Sequence, residues 1–284
     1  MAFAFEPLYS HCILVLVSLT SLVVPFASPL PFVYFHGITD YCASAYSFAL
    51  TQALQAFSGS PGSCVEIGNG FSDSFAVPLM EQTNIACEKI KSMPELAGGY
   101  NIVGVSQGNM VARGVIELCD GPPVRNFVSV GGPNAGEAAV APCVSSGVYS
   151  EFVQANSAPA GYTKIPYALK EYLEGCKFLP IINNELPGQF NPLLKQRFSN
   201  LSNLMLIMFE QDAIIIPKES SLFGFYEDGS TSTVLPMQQT NIYIQDLFGL
   251  KTLDEAGKIK TATVPGIHVQ LTPCIILQYI VPYL

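Results

Sequence analysis

Residues Tyr100 to Leu118 constrain the fold of this chain more than any other stretch. Tyr100-Asn101-Ile102-Val103-Gly104-Val105 is a short apolar run rich in β-branched residues and predicts a buried strand. Val111, Val115 and Leu118 then recur at helical spacing. Between them sits Gly104-Val105-Ser106-Gln107-Gly108, a G-x-S-x-G sequence. In a strand–turn–helix setting this pattern describes a nucleophile elbow, a tight, strained turn that lifts a serine hydroxyl above the sheet edge. The helix start then offers unpaired backbone N–H groups to a developing oxyanion.

The flanking sequence supplies more strands and helices of the same kind. Phe32 to Phe35 reads as the first core strand, ending in His36-Gly37-Ile38. Ser44 to Phe57 places Tyr46, Leu50, Ala53, Leu54 and Phe57 on one face of an amphipathic helix, with Ser44 as its cap. Cys64 to Ile67 reads as a second strand and Leu79 to Ile90 as a second helix. Val124 to Val130, Leu204 to Phe209 and Thr261 to Val264 read as further strands. Thr272-Pro273 begins a last helix, with threonine as cap and proline at the first position. This alternation predicts an α/β fold, a mainly parallel sheet with helices on both faces. Residues 133–200 break the pattern: they are rich in Gly, Pro, Asn and Ala, and only Tyr167 to Leu173 has a helical look. They are read as an insertion over the sheet's carboxyl edge, within a single domain spanning residues 28–284.

Residues 1–27 are read as a signal peptide. Cys12 to Val24 is an apolar run of the right length and too short for a stable membrane span, and Pro25-Phe26-Ala27 precedes the expected cleavage site. With the leader removed, Cys42, Cys64, Cys87, Cys119, Cys143, Cys176 and Cys274 remain. None forms a C-x-x-C pair, which argues against zinc, while a secretory route permits disulfides. Asn200-Leu201-Ser202 is an N-glycosylation acceptor pattern that fits this route. The chain is 49% hydrophobic and 12% charged, which predicts a large core with scope for an apolar groove. Its net charge of −9, without basic clusters, argues against nucleic acid or anionic membrane as partners.

A serine nucleophile needs a base, because a free hydroxyl is far too weak an acid at neutral pH. The chain has three histidines: His11 lies in the leader, His36 precedes Ser106 and His268 follows it. In α/β-hydrolases the order is nucleophile, acid, histidine, which selects His268. The acid must then fall between Ser106 and His268. Asp212 directly follows an apolar strand, where its side chain emerges at the carboxyl edge. Asp246 is the second candidate; Asp228 and Asp254 sit in polar contexts. The oxyanion donors are expected at the backbone of Gln107, the residue after the serine, and of Ile38, in the loop after an early strand. His36 is expected to order that loop.

These residues resemble the palmitoyl-protein thioesterases, lysosomal α/β-hydrolases of animals and plants. The resemblance runs through His36-Gly37-Ile38-Thr39-Asp40, Val103-Gly104-Val105-Ser106-Gln107-Gly108, Ser129-Val130-Gly131-Gly132 and Phe223-Gly224-Phe225-Tyr226. It continues through Ile244-Gln245-Asp246-Leu247-Phe248-Gly249-Leu250-Lys251 and Asp254-Glu255-Ala256-Gly257, and Gly161 to Glu185 is similar to the plant members. It implies an α/β-hydrolase fold and hydrolysis of long-chain fatty acyl thioesters on S-acylated proteins or peptides, with no metal or cofactor. It implies Ser106, Asp212 and His268 as catalytic residues, Ile38 and Gln107 as oxyanion donors, and a disulfide between Cys87 and Cys119. The implied location is the secretory pathway, in a lysosome or vacuole or outside the cell. The rival expectations are a carboxylesterase or lipase acting on oxygen esters with the same triad, and a non-catalytic acyl-binding relative.

Overall fold

The computed structural model describes residues 29–138 and 147–284. The expected leader, with His11 and Cys12, and Cys143 lie outside the described residues. The chain runs through β1 (Phe32–Phe35), α1 (Ala45–Ser58), β2 (Gly62–Cys64), α2 (Asp73–Ala76), α3 (Leu79–Lys91), β3 (Tyr100–Val105), α4 (Gly108–Leu118) and β4 (Val124–Val130). A stretch of short helices follows: α5 (Glu151–Asn156), α6 (Leu169–Gly175), α7 (Leu179–Ile182) and α8 (Pro192–Ser199). Then come β5 (Asn203–Phe209), the antiparallel pair β6 (Phe225–Tyr226) and β7 (Val234–Leu235), and β8 (Ile259–Val264).

Six strands pair in the order β2-β1-β3-β4-β5-β8, every pair parallel. Side chains alternate across the sheet. Phe32 and Tyr34 join a core with Leu50 and Leu54 of α1 and the C-terminal Ile275, Ile276 and Ile280. Val33 and Phe35 join the opposite core with α3, α4 and the helical stretch after β4. A sheet buried on both faces explains why its strands read as continuous apolar runs. The chain leaves β1 toward β2 and returns to β3 on the other side of β1. The carboxyl ends of β1 and β3 therefore flank a topological switch point, where open α/β sheets bind ligands.

Some boundaries differ from the sequence reading. The second strand is Gly62–Cys64, not Cys64 to Ile67. Its pairing partners are Phe32 to Tyr34, and Gly62 sits where a side chain would strike the Phe32 ring. Val65 and Ile67 are buried, but they belong to the irregular segment that follows, before the turn at residues 68–72. The helix expected from Tyr167 starts at Leu169, and Tyr167 is exposed. Ser44 and Thr272 cap their helices as expected, but the last helix widens to π geometry at Ile276–Ile280.

Helix α4, which carries the elbow, is anchored by a polar pair that periodicity alone does not reveal. Arg113 and Glu117 lie one turn apart and both are fully buried, with Arg113 Nε 3.0 Å from Glu117 Oε1. Arg113 Nη1 donates to Asn134 O at 2.8 Å, tying α4 to the loop after β4. Its guanidinium lies 4.6 Å from the Phe248 ring centroid, 5.3 Å from Phe223 and 5.8 Å from Phe198. Burial pushes the Glu117 carboxyl up to about 8, with Arg113 acting against it. Replacing Arg113 by alanine opens a cavity, orphans the Asn134 carbonyl and removes three cation–π contacts. We expect a loss of about 3–5 kcal/mol in urea unfolding; a loss below about 1 kcal/mol would remove Arg113 as an anchor.

Disulfides join Cys42 to Cys64 and Cys87 to Cys119, while Cys176 and Cys274 are free. The first ties the loop after β1 to β2. The second ties α3 to the end of α4.

Candidate active site

Ser106 occupies the turn between β3 and α4 with φ at 53°, a left-handed conformation that costs a non-glycine residue of order 1–3 kcal/mol. The turn is possible because Gly108 presses against β1: a Cβ there would lie 2.2 Å from the Phe35 carbonyl oxygen. Asn109 Nδ2 holds the turn by donating to the carbonyls of Ser106 at 2.9 Å and Val130 at 3.1 Å.

Three sequence-predicted side chains converge here. His268 Nε2 lies 2.9 Å from Ser106 Oγ, and His268 Nδ1 lies 2.7 Å from Asp212 Oδ2. Asp212 Oδ1 accepts the N–H groups of Ile214 at 2.9 Å and Ile215 at 3.1 Å. Burial pushes the Asp212 pKa up, but the hydrogen bond from His268 and those from Ile215 and Ile214 outweigh it. The carboxyl is held below its usual range. Asp212 therefore presents an ionised oxygen to Nδ1, which leaves Nε2 as the nitrogen able to accept a proton from Ser106.

Asp246, the second candidate acid, is remote from this relay. It pairs with Lys195 at 2.7 Å and accepts from Thr252 Oγ1 at 2.6 Å at the start of the helix Leu250–Glu255. Asp254 accepts from the Tyr243 hydroxyl and Asp228 from the Asn241 amide.

The acid and base loops are fastened together through Gln211, which sequence reasoning passed over. Its backbone N–H donates to Gly266 O at 3.0 Å, and its side-chain oxygen accepts the Gly266 N–H at 2.6 Å. The Tyr46 hydroxyl adds a bond to Val269 O at 3.0 Å.

Ile38 and Gln107 flank the serine. Among the described residues neither backbone N–H has a hydrogen-bond partner. The Ile38 loop runs close by: a Cβ at Gly37 would come within 3.2 Å of Ser106 Cβ. Ser74 of α2 braces both donors. Its hydroxyl oxygen accepts from Thr39 N at 2.8 Å, and its carbonyl accepts from Gln107 Nε2 at 2.5 Å. Tyr162, in the stretch after β4, donates to Gln107 Oε1 at 3.2 Å. Neither Ser74 nor Tyr162 carries a sequence signal, because each acts across a long separation through one or two polar bonds.

Exposed apolar residues neighbour the site residues in the chain. Ile214, beside the acid, is 62% exposed, and Ile267, beside the base, is 63% exposed. Phe71 and Phe75 are exposed on either side of Ser74. A separate cleft of about 660 Å3 opens between the stretch after β4 and residues 225–247, with Leu169, Tyr172, Phe190, Phe225 and Ile242 among its walls. None of its lining residues belongs to the triad. His36, Cys42 and Glu66 cluster tightly, but the Cys42 sulfur is committed to its disulfide and offers no thiolate to a metal. Asn200 is exposed.

The family profile described as Palmitoyl protein thioesterase matches residues 31–268. Palmitoyl-protein thioesterase 1 of Caenorhabditis elegans is 35% identical over 270 residues, covering 88% of this chain and 90% of its own. Palmitoyl-protein thioesterase 3 of Dictyostelium discoideum is 35% identical, covering 72% and 73%. Lysosomal thioesterase PPT2 of Homo sapiens is 29% identical, covering 85% and 82%.

Proposed function

The chain belongs to the palmitoyl protein thioesterase family, and from that premise we propose that it is a serine thioesterase that hydrolyses long-chain fatty acyl thioesters on protein cysteines. The observation that carries this reading is the hydrogen-bonded relay Ser106–His268–Asp212 beside two unpartnered backbone N–H groups. Ser106 is the nucleophile, His268 the base and Asp212 the acid; Ile38 and Gln107 are the oxyanion donors.

In the first step His268 Nε2 takes the Ser106 proton as Oγ attacks the thioester carbonyl. The two N–H groups receive the negative oxygen. The cysteine sulfur leaves readily, its thiol pKa being about 8.5, and takes the proton from His268 as it departs, which returns the imidazole to its neutral form. In the second step His268 draws a proton from water as its oxygen attacks the acyl carbonyl, and then gives that proton to Ser106 Oγ as the ester bond breaks and the fatty acid leaves. Asp212 orients the imidazole and stabilises its charged form throughout. The exposed Ile214 and Ile267, each within two residues of a triad member in the chain, suit an acyl chain, each buried methylene of which contributes about 0.8 kcal/mol.

In this reading the described part of residues 133–200, from which Tyr162 reaches Gln107, is the insertion that walls the acyl path within a single catalytic domain. The disulfides and the exposed Asn200 in its acceptor pattern support passage through the secretory pathway. The name of the human relative supports a lysosomal destination. Among the described residues no helix is long and apolar enough to cross a membrane.

The reading is tested with an S-palmitoylated peptide and its oxygen-ester analogue bearing the same acyl chain. We expect the thioester to turn over faster. Preference for the oxygen ester would make the protein an esterase or lipase, and binding of both without release would make it an acyl-binding relative.

A further inference from the structure

Buried His36 holds the Ile38 loop through contacts at both ring nitrogens. Nδ1 lies 2.9 Å from the Gly37 carbonyl oxygen, and Nε2 lies 2.9 Å from Glu66 Oε1. The carbonyl accepts only, so Nδ1 carries a hydrogen. The carbonyl of Gly37 and the N–H of Ile38 belong to one peptide group. In a trans peptide they point in opposite directions. Holding the carbonyl on the His36 side therefore sets the direction of the Ile38 N–H on the other.

Glu66 grips both ends of this loop. While Oε1 meets the His36 ring at the start of the loop, Oε2 accepts the backbone N–H of Cys42 at its end, at 2.7 Å. Glu66 is itself fixed. Its chain is two residues from Cys64, whose disulfide returns to Cys42, and its carbonyl accepts from Lys89 Nζ at 2.7 Å. The loop also contains Thr39, whose positive φ of 55° gives it reason to relax once released.

We propose that Glu66 is a positioning residue for the reaction: it locks the His36 ring, which aims the Gly37–Ile38 peptide so that the Ile38 N–H receives the oxyanion. The proposal rests on the serine hydrolase reading given above. Glu66 makes no hydrogen bond to Ser106, so its influence passes through the loop it holds, chiefly at His36 and also at Cys42. The same edge-of-strand logic that selects Asp212 points to Glu66, which follows β2 as Asp212 follows β5.

The test uses Glu66→Gln and Glu66→Ala beside the wild type. Glutamine keeps an oxygen for the Cys42 N–H and turns an amide donor toward His36 Nε2, which it satisfies only when that nitrogen carries no hydrogen; alanine satisfies neither contact. We expect kcat to fall about 10- to 100-fold in Glu66→Ala, less in Glu66→Gln, with KM little changed. Two ligands separate positioning from general disruption. A long-chain alkyl trifluoromethyl ketone forms a hemiketal on Ser106 and needs the oxyanion donors, whereas palmitate binds without them. Ketone inhibition should weaken in step with kcat while palmitate affinity holds.

The proposal is overturned if folded Glu66→Gln and Glu66→Ala keep wild-type kcat and ketone inhibition. It is also overturned if both ligands weaken together, the signature of a merely structural role. Should alanine fail to fold, the similarly sized Glu66→Met, which can make neither contact, decides. A wild type that forms no ketone adduct at Ser106 would refute the serine hydrolase reading itself, an outcome distinct from either.

Discussion

Ser106→Ala is expected to lower release of palmitate from an S-palmitoylated peptide by about 10^4- to 10^6-fold, with no loss of folding. The size follows from what remains. Without Oγ there is no acyl-enzyme, and His268 Nε2 loses the group lying 2.9 Å away. The Ile38 and Gln107 N–H groups persist and can still polarise a bound carbonyl, so slow attack by water sets the floor. The alanine inherits the same left-handed backbone, φ 53° in the wild type, so the strain of the turn stays. A fluorophosphonate probe should label the wild type once and the variant not at all. Substantial residual turnover, or unchanged labelling, would move the nucleophile elsewhere.

Asp212→Asn is expected to cost about 10^4-fold while leaving the relay's heavy atoms almost in place. The reason lies in which Asp212 oxygen does what. Oδ1 accepts two backbone N–H groups, so an asparagine must turn its oxygen toward Ile214 and Ile215. Its amide then faces His268 Nδ1 as a donor. That nitrogen must accept, which places the ring hydrogen on Nε2, against Ser106, where the base is required. The variant keeps the geometry and holds the wrong tautomer.

The same contacts govern pH. Asp212 has a folded pKa below its ordinary range despite its burial, because the hydrogen bonds favour the charged form. Its contribution to stability is therefore present above the ordinary carboxylate value and is lost as pH falls through the lower folded one. Asp212 therefore stays ionised down through the ordinary carboxylate range, so a fall in rate above that range is not caused by its protonation. A rate that stays flat down to about pH 4 would argue against His268 as base.

Much of this site was legible because its parts obey local rules. The elbow is a strand, a glycine-flanked serine and a helix, all contiguous. His268 emerges from the order of a few histidines, and Asp212 from its place at the end of an apolar strand. β2 escaped because Gly62 and Ser63 carry no apolar period and are strand only by pairing with β1. The helices after β4 are short and gain their order from packing against the body of the fold, so no period marks them. Arg113 and Glu117 look like a solvated i, i+4 pair in sequence, yet they are buried. The rings that enclose them arrive from residues 198, 223 and 248. Two of those rings sit in the C-terminal stretches quoted for the family resemblance, Phe223-Gly224-Phe225-Tyr226 and the segment around Phe248. Those stretches thus help to hold the elbow helix, although neither contributes to the triad.

The bond between Cys87 and Cys119 spans 32 positions and includes β3, Ser106 and all of α4. Ser106 consequently sits inside a covalent ring. A force pulling on the two ends of the chain is carried across the ring by the sulfur atoms and does not stretch the elbow. A single cut in the backbone between the two cysteines leaves one molecule rather than two fragments. Fraying that begins at either terminus meets a closed circle before it reaches the serine.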